Sequence, residues 1–321
     1  MALERDMKSE VKAFLYNAAG HDDAIATTDI SFAGLNKNKL LWIDGPPEKV
    51  AKLDALPEDL ARAVDTDAQT ATLEIFDSCY RFFVPVLDAS NTAHKLTFLV
   101  GKGCLITMCD HRPAFMDRFV ETDRGETLNG KLTPSALAAS LLSELLDDYR
   151  KAISDIDRRI DKLDEDILRV REKHTPLTTL ATLRRRVSGL RLSLGDMGGT
   201  IHALTRPDVL VHIDACDHAY FESTSRTLDR LDDAVARARE TIIGSFELYT
   251  TRVAQDTNQL VKALTIATVI TGVIGCAAGV FGMNFDTPFF HSGLVGFLGV
   301  TLAMVMTSIA IVIIAVWRRW L

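Results

Sequence analysis

Hydrophobic positions change rhythm along this 321-residue chain. Over about the first 130 residues they fall in short runs and alternations, the period of strands. Residues 40–44 (Leu-Leu-Trp-Ile-Asp) form an apolar run broken by Gly45-Pro46-Pro47. Residues 72–76 alternate, and residues 80–87 are mostly apolar. Two further runs, 96–100 and 104–108, flank Gly101-Lys102-Gly103, a hairpin signal. Pro57 opens a short stretch to Val64 that predicts a helix, since proline suits a first turn.

From Thr133-Pro134 onward the period becomes helical. Ile153, Ile156, Ile160, Leu163, Ile167 and Val170 step by three and four, with carboxylates and arginines between them as on a coiled-coil face. Leu180, Leu183, Val187, Leu190 and Leu194 repeat the rhythm after Thr175-Pro176. Glycines between Gly195 and Gly199 weaken that helix, and Arg206-Pro207 marks a turn. A third helix starts near Asp217 or Phe221 and meets no proline before Phe281. At 1.5 Å per residue it would run for about 90 Å, and such a length needs neighbours along most of it.

Two apolar runs close the chain. Residues 263–285 and 292–317 contain no Asp, Glu, Lys or Arg. As helices of roughly 23 and 26 residues, each can cross a hydrocarbon core of about 30 Å. The link, 286–291, is too short to hold a domain, so an antiparallel hairpin is predicted. Lys262 precedes the first run, Arg318 and Arg319 follow the second, and the link has neither Lys nor Arg. The positive-inside rule then places both ends of the chain in the cytoplasm and the link outside.

Read at heptad spacing, the long third helix presents Glu247, Thr251, Ala254, Asn258, Val261, Thr265, Thr268, Gly272, Gly275, Gly279 and Gly282. Leu264 sits beside this stripe and narrows it. Ile266, Val269, Ile270, Val273 and Ile274 lie on other faces and suit lipid or a neighbouring helix. Small residues spaced by four let helix backbones approach closely, which is one reading. The other is that several copies surround an axis and line a narrow water path. Two helices cannot enclose a channel, so conduction requires a ring of subunits.

Under the second reading the chemistry suits a hydrated divalent cation. The first span has no charged side chain to strip the ion, and Mg²⁺ gives up its waters reluctantly. Asn284 and the carbonyls near Gly282 and Met283 would read the hydrated ion at the outer mouth, with Asp286 drawing cations to it. Glu247 and Asn258 would supply polar rings toward the cytoplasm, and Val261 with Leu264 an apolar constriction that gates by dewetting. Moving a charge of +2 inward through 100 mV releases about 4.6 kcal/mol, so no ATP is needed.

Composition narrows the picture. A net charge of -7 argues against a nucleic-acid partner and fits a protein that meets cations. The first residues, Met-Ala-Leu-Glu-Arg-Asp-Met-Lys, predict no cleaved signal peptide. Cys79, Cys104, Cys109, Cys216 and Cys276 form no paired motif, which fits a reduced cytosolic body. His212, Asp214, Cys216 and His218 alternate, so an extended segment could bind Zn²⁺, whereas a turn with Asp217 as cap would not. The acidic stretch 147–166 reads as a solvated face, with divalent sensing as the alternative. No phosphate loop, nucleophile elbow or His-Glu-x-x-His appears, so an enzyme is not predicted.

The C-terminal residues resemble the CorA-type magnesium and cobalt transporters, whose hallmark is Gly-Met-Asn at the outer end of the first of two C-terminal spans. Here it is Gly282-Met283-Asn284, flanked by Phe281 and Phe285. The stretch Asn258-Gln259-Leu260-Val261-Lys262-Ala263-Leu264-Thr265 resembles the family's membrane entrance. Residues 98–107 resemble a hairpin of its soluble domain, and Leu145-Leu146-Asp147-Asp148-Tyr149 the start of its long helices. The resemblance implies a homopentameric funnel: an α/β cytoplasmic domain, long coiled-coil-like stalk helices and a two-helix transmembrane hairpin. It also implies an integral inner (cytoplasmic) membrane protein whose closure is favoured by bound intracellular Mg²⁺. Val273 stands where the family commonly has proline, and Gly272 and Gly275 replace larger pore residues, which predicts a wider or looser pore. The outer loop is Asp286-Thr287-Pro288-Phe289, with His291 added and without the glycines usual in the zinc-transporting branch. Near the family's regulatory site, Ser223 beside Glu222 replaces the usual aspartate, leaving Glu222 as the candidate regulatory ligand.

The expected organisation is an α/β cytoplasmic domain (1–132), long helices including the stalk of the pore (133–262) and the membrane hairpin (263–321). The expected function is passive, potential-driven uptake of Mg²⁺, with Co²⁺ and Ni²⁺ as further cargo, by a homo-oligomer in lipid without a cofactor. A zinc transporter of the related branch and a non-conducting membrane-anchored scaffold or sensor are the rival readings.

Overall fold

The computed structural model describes residues 10–18, 22–35, 38–65, 73–88, 91–122, 132–169, 176–211, 213–283 and 293–317. A seven-stranded mixed sheet occupies the N-terminal part. Its strands are β1 (Lys12–Asn17), β2 (Asp23–Ile25), β3 (Lys39–Gly45), β4 (Leu73–Ile75), β5 (Tyr80–Leu87), β6 (Ala93–Gly101) and β7 (Cys104–Met108). They lie in the order β2-β1-β3-β7-β6-β5-β4. Among the described strands only β3 and β7 run parallel, with Leu41 beside Cys104 and Ile43 beside Ile106. Both are buried along nearly their whole length, which is why they read as continuous apolar runs rather than alternations.

One face of the sheet carries Leu41, Ile43, Leu99 and Ile106, and packs with Val50, Leu60 and Ala63. Val50 belongs to α1 (Pro47–Val50), and the other two to α2 (Glu58–Asp65). The opposite face carries Trp42, Phe98 and Phe82, the last two stacked at 4.9 Å. It receives α3 (Ala114–Thr122), whose Phe119 meets Trp42 edge-on at 5.9 Å. It also holds a buried polar chain. Trp42 Nε1 donates to Thr107 Oγ1 (3.0 Å), and Thr107 Oγ1 donates to Asp44 Oδ1 (2.5 Å). Arg112 pairs with Asp44 and donates through Nε to Asp117 (2.8 Å), which also accepts from Lys12 Nζ (3.2 Å). A buried carboxylate is tolerable only with such partners.

The remaining helices are α4 (Pro134–Arg169), α5 (Pro176–Leu204), α6 (Pro207–Leu210), α7 (His218–Phe281) and α8 (Gly293–Trp317). Ile153, Ile156, Ile160 and Leu163 of α4 are buried, as are Leu180, Leu183, Val187 and Leu190 of α5. On α7 the buried set is Phe221, Thr224, Leu228, Leu231, Val235, Ala238, Ile242 and Ser245, again stepping by three and four. Each buried Leu or Ile contributes about 1.5–3 kcal/mol, which is what holds helices this long. Tyr149 of α4 shares a hydrogen bond with Ser193 of α5 and donates to Pro85 O of β5 (3.2 Å), joining helices to sheet.

Several sequence expectations differ from what is observed. The glycines at 195–199 do not interrupt α5, because Leu194, Met197 and Ile201 are buried around them. A Cβ on Gly198 would touch Leu228 of α7 at 3.4 Å, so tertiary packing outweighs propensity there. Gly189 serves a closer approach: a Cβ there would fall 2.0 Å from Asn91 Nδ2. The turn at Arg206-Pro207 is present and leads into the single-turn helix α6. Strands β1 and β2 and helix α3 carried no expectation. By contacts the chain divides into two compact units, Met1–Leu163 with Lys173–Ser245, and Asp164–Glu172 with Phe246–Leu321.

Thr107→Val strands Trp42 Nε1 in the interior and takes from Asp44 one of its two partners. Denaturant unfolding should show a loss of about 1–3 kcal/mol. Acid should expose the Asp117 pairing. Partial burial raises its pKa, but the hydrogen bonds from Arg112 and then Lys12 outweigh this and hold it below the usual 3.8. The pairing therefore stabilises above pH 3.8 and is lost as pH falls through the lowered value. Asp117→Asn should remove that part of the acid sensitivity in a pH-dependent unfolding series.

Candidate functional site: the membrane hairpin and its exposed stripe

Helix α7 passes without a break from His218 to Phe281, and at 1.5 Å per residue spans about 96 Å. It and α8 are the two described helices long and apolar enough to cross a membrane. Nothing in α7 forces a kink, since it contains no proline and its amides pair along the helix. It closes at the glycine of the Gly-Met-Asn motif. Gly282 N donates to Ala278 O (2.9 Å), and Met283 N to Val280 O (3.2 Å). A Cβ on Gly282 would lie 3.1 Å from Ala278 O, so glycine suits the tight turn. Met283 is exposed. Asn284, Asp286 and His291 lie outside the described residues, as do Arg318 and Arg319.

The two apolar helices meet on one side of α7. Val273, Ile274, Ala277 and Phe281 face Val300 and Met304 across an apolar groove of about 450 Å³. Thr265, Thr268, Gly272, Gly275 and Gly279 are exposed. At 3.6 residues per turn, their stripe lies roughly 180° from the groove face. Cβ atoms added to Gly272, Gly275 or Gly279 would meet nothing within 4 Å. Within one chain, therefore, α8 does not use the small residues for close approach; they form an open face. Glu247, Thr251, Asn258, Val261 and Leu264 continue that face or border it and are exposed as well.

The polar groups of the stripe have a definite hydrogen-bonding sense. Thr265 Oγ1 donates to Val261 O and Thr268 Oγ1 to Leu264 O, both at 2.8 Å. With their hydrogens committed to the helix, these hydroxyls present lone pairs outward. Such acceptors suit the water hydrogens of a hydrated cation.

A second exposed pattern escaped the sequence reading. Ile243, Phe246, Thr250, Val253, Thr257, Leu260 and Leu264 step by three and four and are exposed in the single chain. That is the spacing of a helix-packing seam, and it borders the polar stripe. The signal was present in the sequence, but the neighbouring stripe of small residues drew attention from it.

The other constellations form no metal cluster among the described residues. His212 is outside them, and residues 215–217 make a turn rather than an extended segment. His218 Nε2 lies 3.0 Å from both Leu210 O and Ile213 O, so its ring closes that turn. On α4, Asp147 pairs with Lys151 and Arg150, and these hydrogen bonds lower its pKa. Asp148 pairs with Arg118, and Asp155 with Arg159 and Arg186. Asp157 is raised by burial and then by Asp161, with Arg237 opposing. Glu222 is exposed and lies 3.8 Å from Arg226, one turn along.

Residues 40–319 match the family of CorA-like Mg²⁺ transporter proteins. Over 224 residues the chain is 29% identical to the cobalt/magnesium transport protein CorA of Thermotoga maritima. That alignment covers 68% of this chain and 63% of that protein, less than two thirds of its length. The complete CorA magnesium transporter of Methanocaldococcus jannaschii superposes with a TM-score of 0.75 at 20% identity, over 96% of this chain and 98% of its own. The cytoplasmic domain of ZntB from Vibrio parahaemolyticus gives 0.57 at 7% identity, over 76% and 98%. At such identities the two structures speak for fold alone, and the fold is an α/β domain, long helices and a C-terminal apolar hairpin.

Because the glycine stripe is open within one chain, Gly275→Ala should leave helicity in detergent unchanged or slightly raised, since Ala is the better helix former by about 1 kcal/mol. Circular dichroism through a thermal ramp would check this, and a lowered melting point would show that the face is already occupied.

Proposed function

Since the chain belongs to the family of CorA-like Mg²⁺ transporter proteins, we propose that it forms a homopentameric channel that passes hydrated divalent cations down the membrane potential. One observation carries this: the small, acceptor-rich stripe of α7 faces away from α8 and is left open by its own chain. A ring of copies would turn that stripe inward. The apolar seam from Ile243 to Leu264 would bury itself between neighbours, and α8 would lie outside, toward lipid.

In this arrangement Glu247, Thr251 and Asn258 line the cytoplasmic approach. Val261 and Leu264 form the constriction, and Thr265, Thr268, Gly272, Gly275 and Gly279 the membrane path. Gly282, Met283 and Asn284 read the ion at the outer mouth, aided by Asp286. The ion keeps its waters, because amide and hydroxyl acceptors bind the hydration shell without the carboxylate cage that would trap Mg²⁺. Mg²⁺ is the proposed cargo, with Co²⁺ and Ni²⁺ as further ions and no resident cofactor or enzymatic step. Both termini lie in the cytoplasm and the hairpin in the inner membrane. The chain functions as a body (1–132), stalk helices (133–262) and hairpin (263–321). Internal Mg²⁺ favours closure, with Glu222 among its ligands. The cobalt and magnesium in the name of the Thermotoga relative support the choice of ions.

Flux into liposomes across a metal panel tests this. Mg²⁺ entry should rise with an inside-negative potential and fall at least tenfold in Asn284→Ala, about 1.4 kcal/mol on the transport barrier. Robust Zn²⁺ flux without Mg²⁺ competition would favour the zinc-transporting reading. Cellular metal content that is indifferent to Asn284→Ala would favour the scaffold.

A further inference from the structure

Two of the longest helices begin side by side, and one buried carboxylate joins them. Thr133 caps α4, its Oγ1 accepting from Ala136 N at 3.0 Å. The same hydroxyl donates its hydrogen to Asp217 Oδ2. Asp217 directly precedes α7, is 2% exposed, and holds the turn through its own N–H, which donates to Asp214 O at 2.8 Å. Cys216 Sγ donates to its other carboxylate oxygen at 3.6 Å. Each helix N-terminus carries about half a positive charge, so a carboxylate between the two is stabilised without a buried cation. Two residues beyond Thr133, Ser135 of α4 accepts from Tyr80 OH of β5 at 2.9 Å, which ties the sheet to the same joint.

The joint is not packed solid. A cavity of about 260 Å³ lies beside it, lined by Tyr80, Thr133, Ser135 and Asp214 on the joint side and by Lys102 and Asp77 opposite. Interiors are normally close-packed, and adjacent free volume lets a hydrogen-bonded pair shift without overpacking its neighbours.

We propose that Asp217 is a positioning residue of the channel, and that the Thr133–Asp217 hydrogen bond transmits displacement between the cap of α4 and the pore helix α7. This rests on the channel reading above and adds to it the place where the cytoplasmic domain grips the pore helix. A shift of the α4 cap moves the first turn of α7, and an unbroken helix carries that movement toward Val261 and Leu264. Loss of the bond uncouples the internal ion response from the pore while leaving the pore itself intact.

The test uses the full chain in lipid vesicles, with Mg²⁺ flux measured at increasing internal Mg²⁺. Thr133→Val keeps the side-chain shape and deletes the hydroxyl. It should shift the internal Mg²⁺ concentration for half-closure at least about threefold, with flux at the lowest internal Mg²⁺ unchanged. Thr133→Ser should restore the parent midpoint. An unshifted midpoint in Thr133→Val overturns the assignment, as does lower flux at the lowest internal Mg²⁺, the mark of a merely structural bond. Hydrogen exchange at the start of α7 is read on the same samples. Thr133→Val should accelerate it and Thr133→Ser should not, and equal exchange in all three overturns the joint. A parent that moves no Mg²⁺ yet shows the exchange difference sinks the channel reading and leaves the joint standing. Should Thr133→Val fail to assemble, Asp217→Asn takes its place under the same criteria.

Discussion

A backbone amide cannot be left unpaired in hydrocarbon, and this constraint governs the C-terminal half of the protein. It requires that the chain enter the apolar region as continuous helix. Here the helix begins at His218, far into the soluble part, and ends at Phe281. Because the period never resets, residues chosen at heptad spacing before the apolar run remain on the same face inside it. Glu247 and Gly279 share a stripe only because nothing between them breaks the ladder. No proline stands between them.

Continuity alone would not hold such a helix in water. Up to Ser245 its apolar face is buried in the soluble unit. Beyond that point Phe246, Val253 and Leu260 continue a three-four rhythm and are exposed. Helices of this length are weak without partners, which makes that stretch the part most in need of neighbours. Polar interactions follow a similar division. On α4, Asp147, Asp148 and Asp155 are spent in partly exposed ion pairs, each worth little. The buried carboxylates Asp44 and Asp217 are few and fully engaged, and each ties separate elements together. Removing a partner from such a site costs far more than removing a surface pair.

Much of this was legible in the residues because the underlying signals are periodic. Strand β5 spans residues 80–87 and β7 residues 104–108, as their apolar runs indicate. The long helices follow from their three-four spacing, and the apolar hairpin from its length and lack of charge. Strand β1 was not legible: in Lys12–Asn17 only Ala13 and Tyr16 are buried, and the strand is held by pairing with β3, further along the chain. The parallel pairing of β3 with β7 was equally hidden, since both strands read as buried runs whatever their partners. For the alternating His, Asp and Cys residues the local pattern left two readings open, and the turn, closed by His218 on two carbonyls, is the one observed at Asp214, Cys216 and His218.

The sequence by itself determined the long helices, the apolar spans and strands such as β5 and β7, and which residue types line each helical face, because these depend on spacing along one chain. Tertiary structure decided which face meets a neighbour. It set α8 against Val273 and Ala277 rather than the glycines, let Leu228 approach Gly198, and brought Thr133 to Asp217 across 84 positions. Those outcomes depend on distances between elements remote in sequence. Periodicity cannot encode them, whereas close packing and the need to partner every buried charge can.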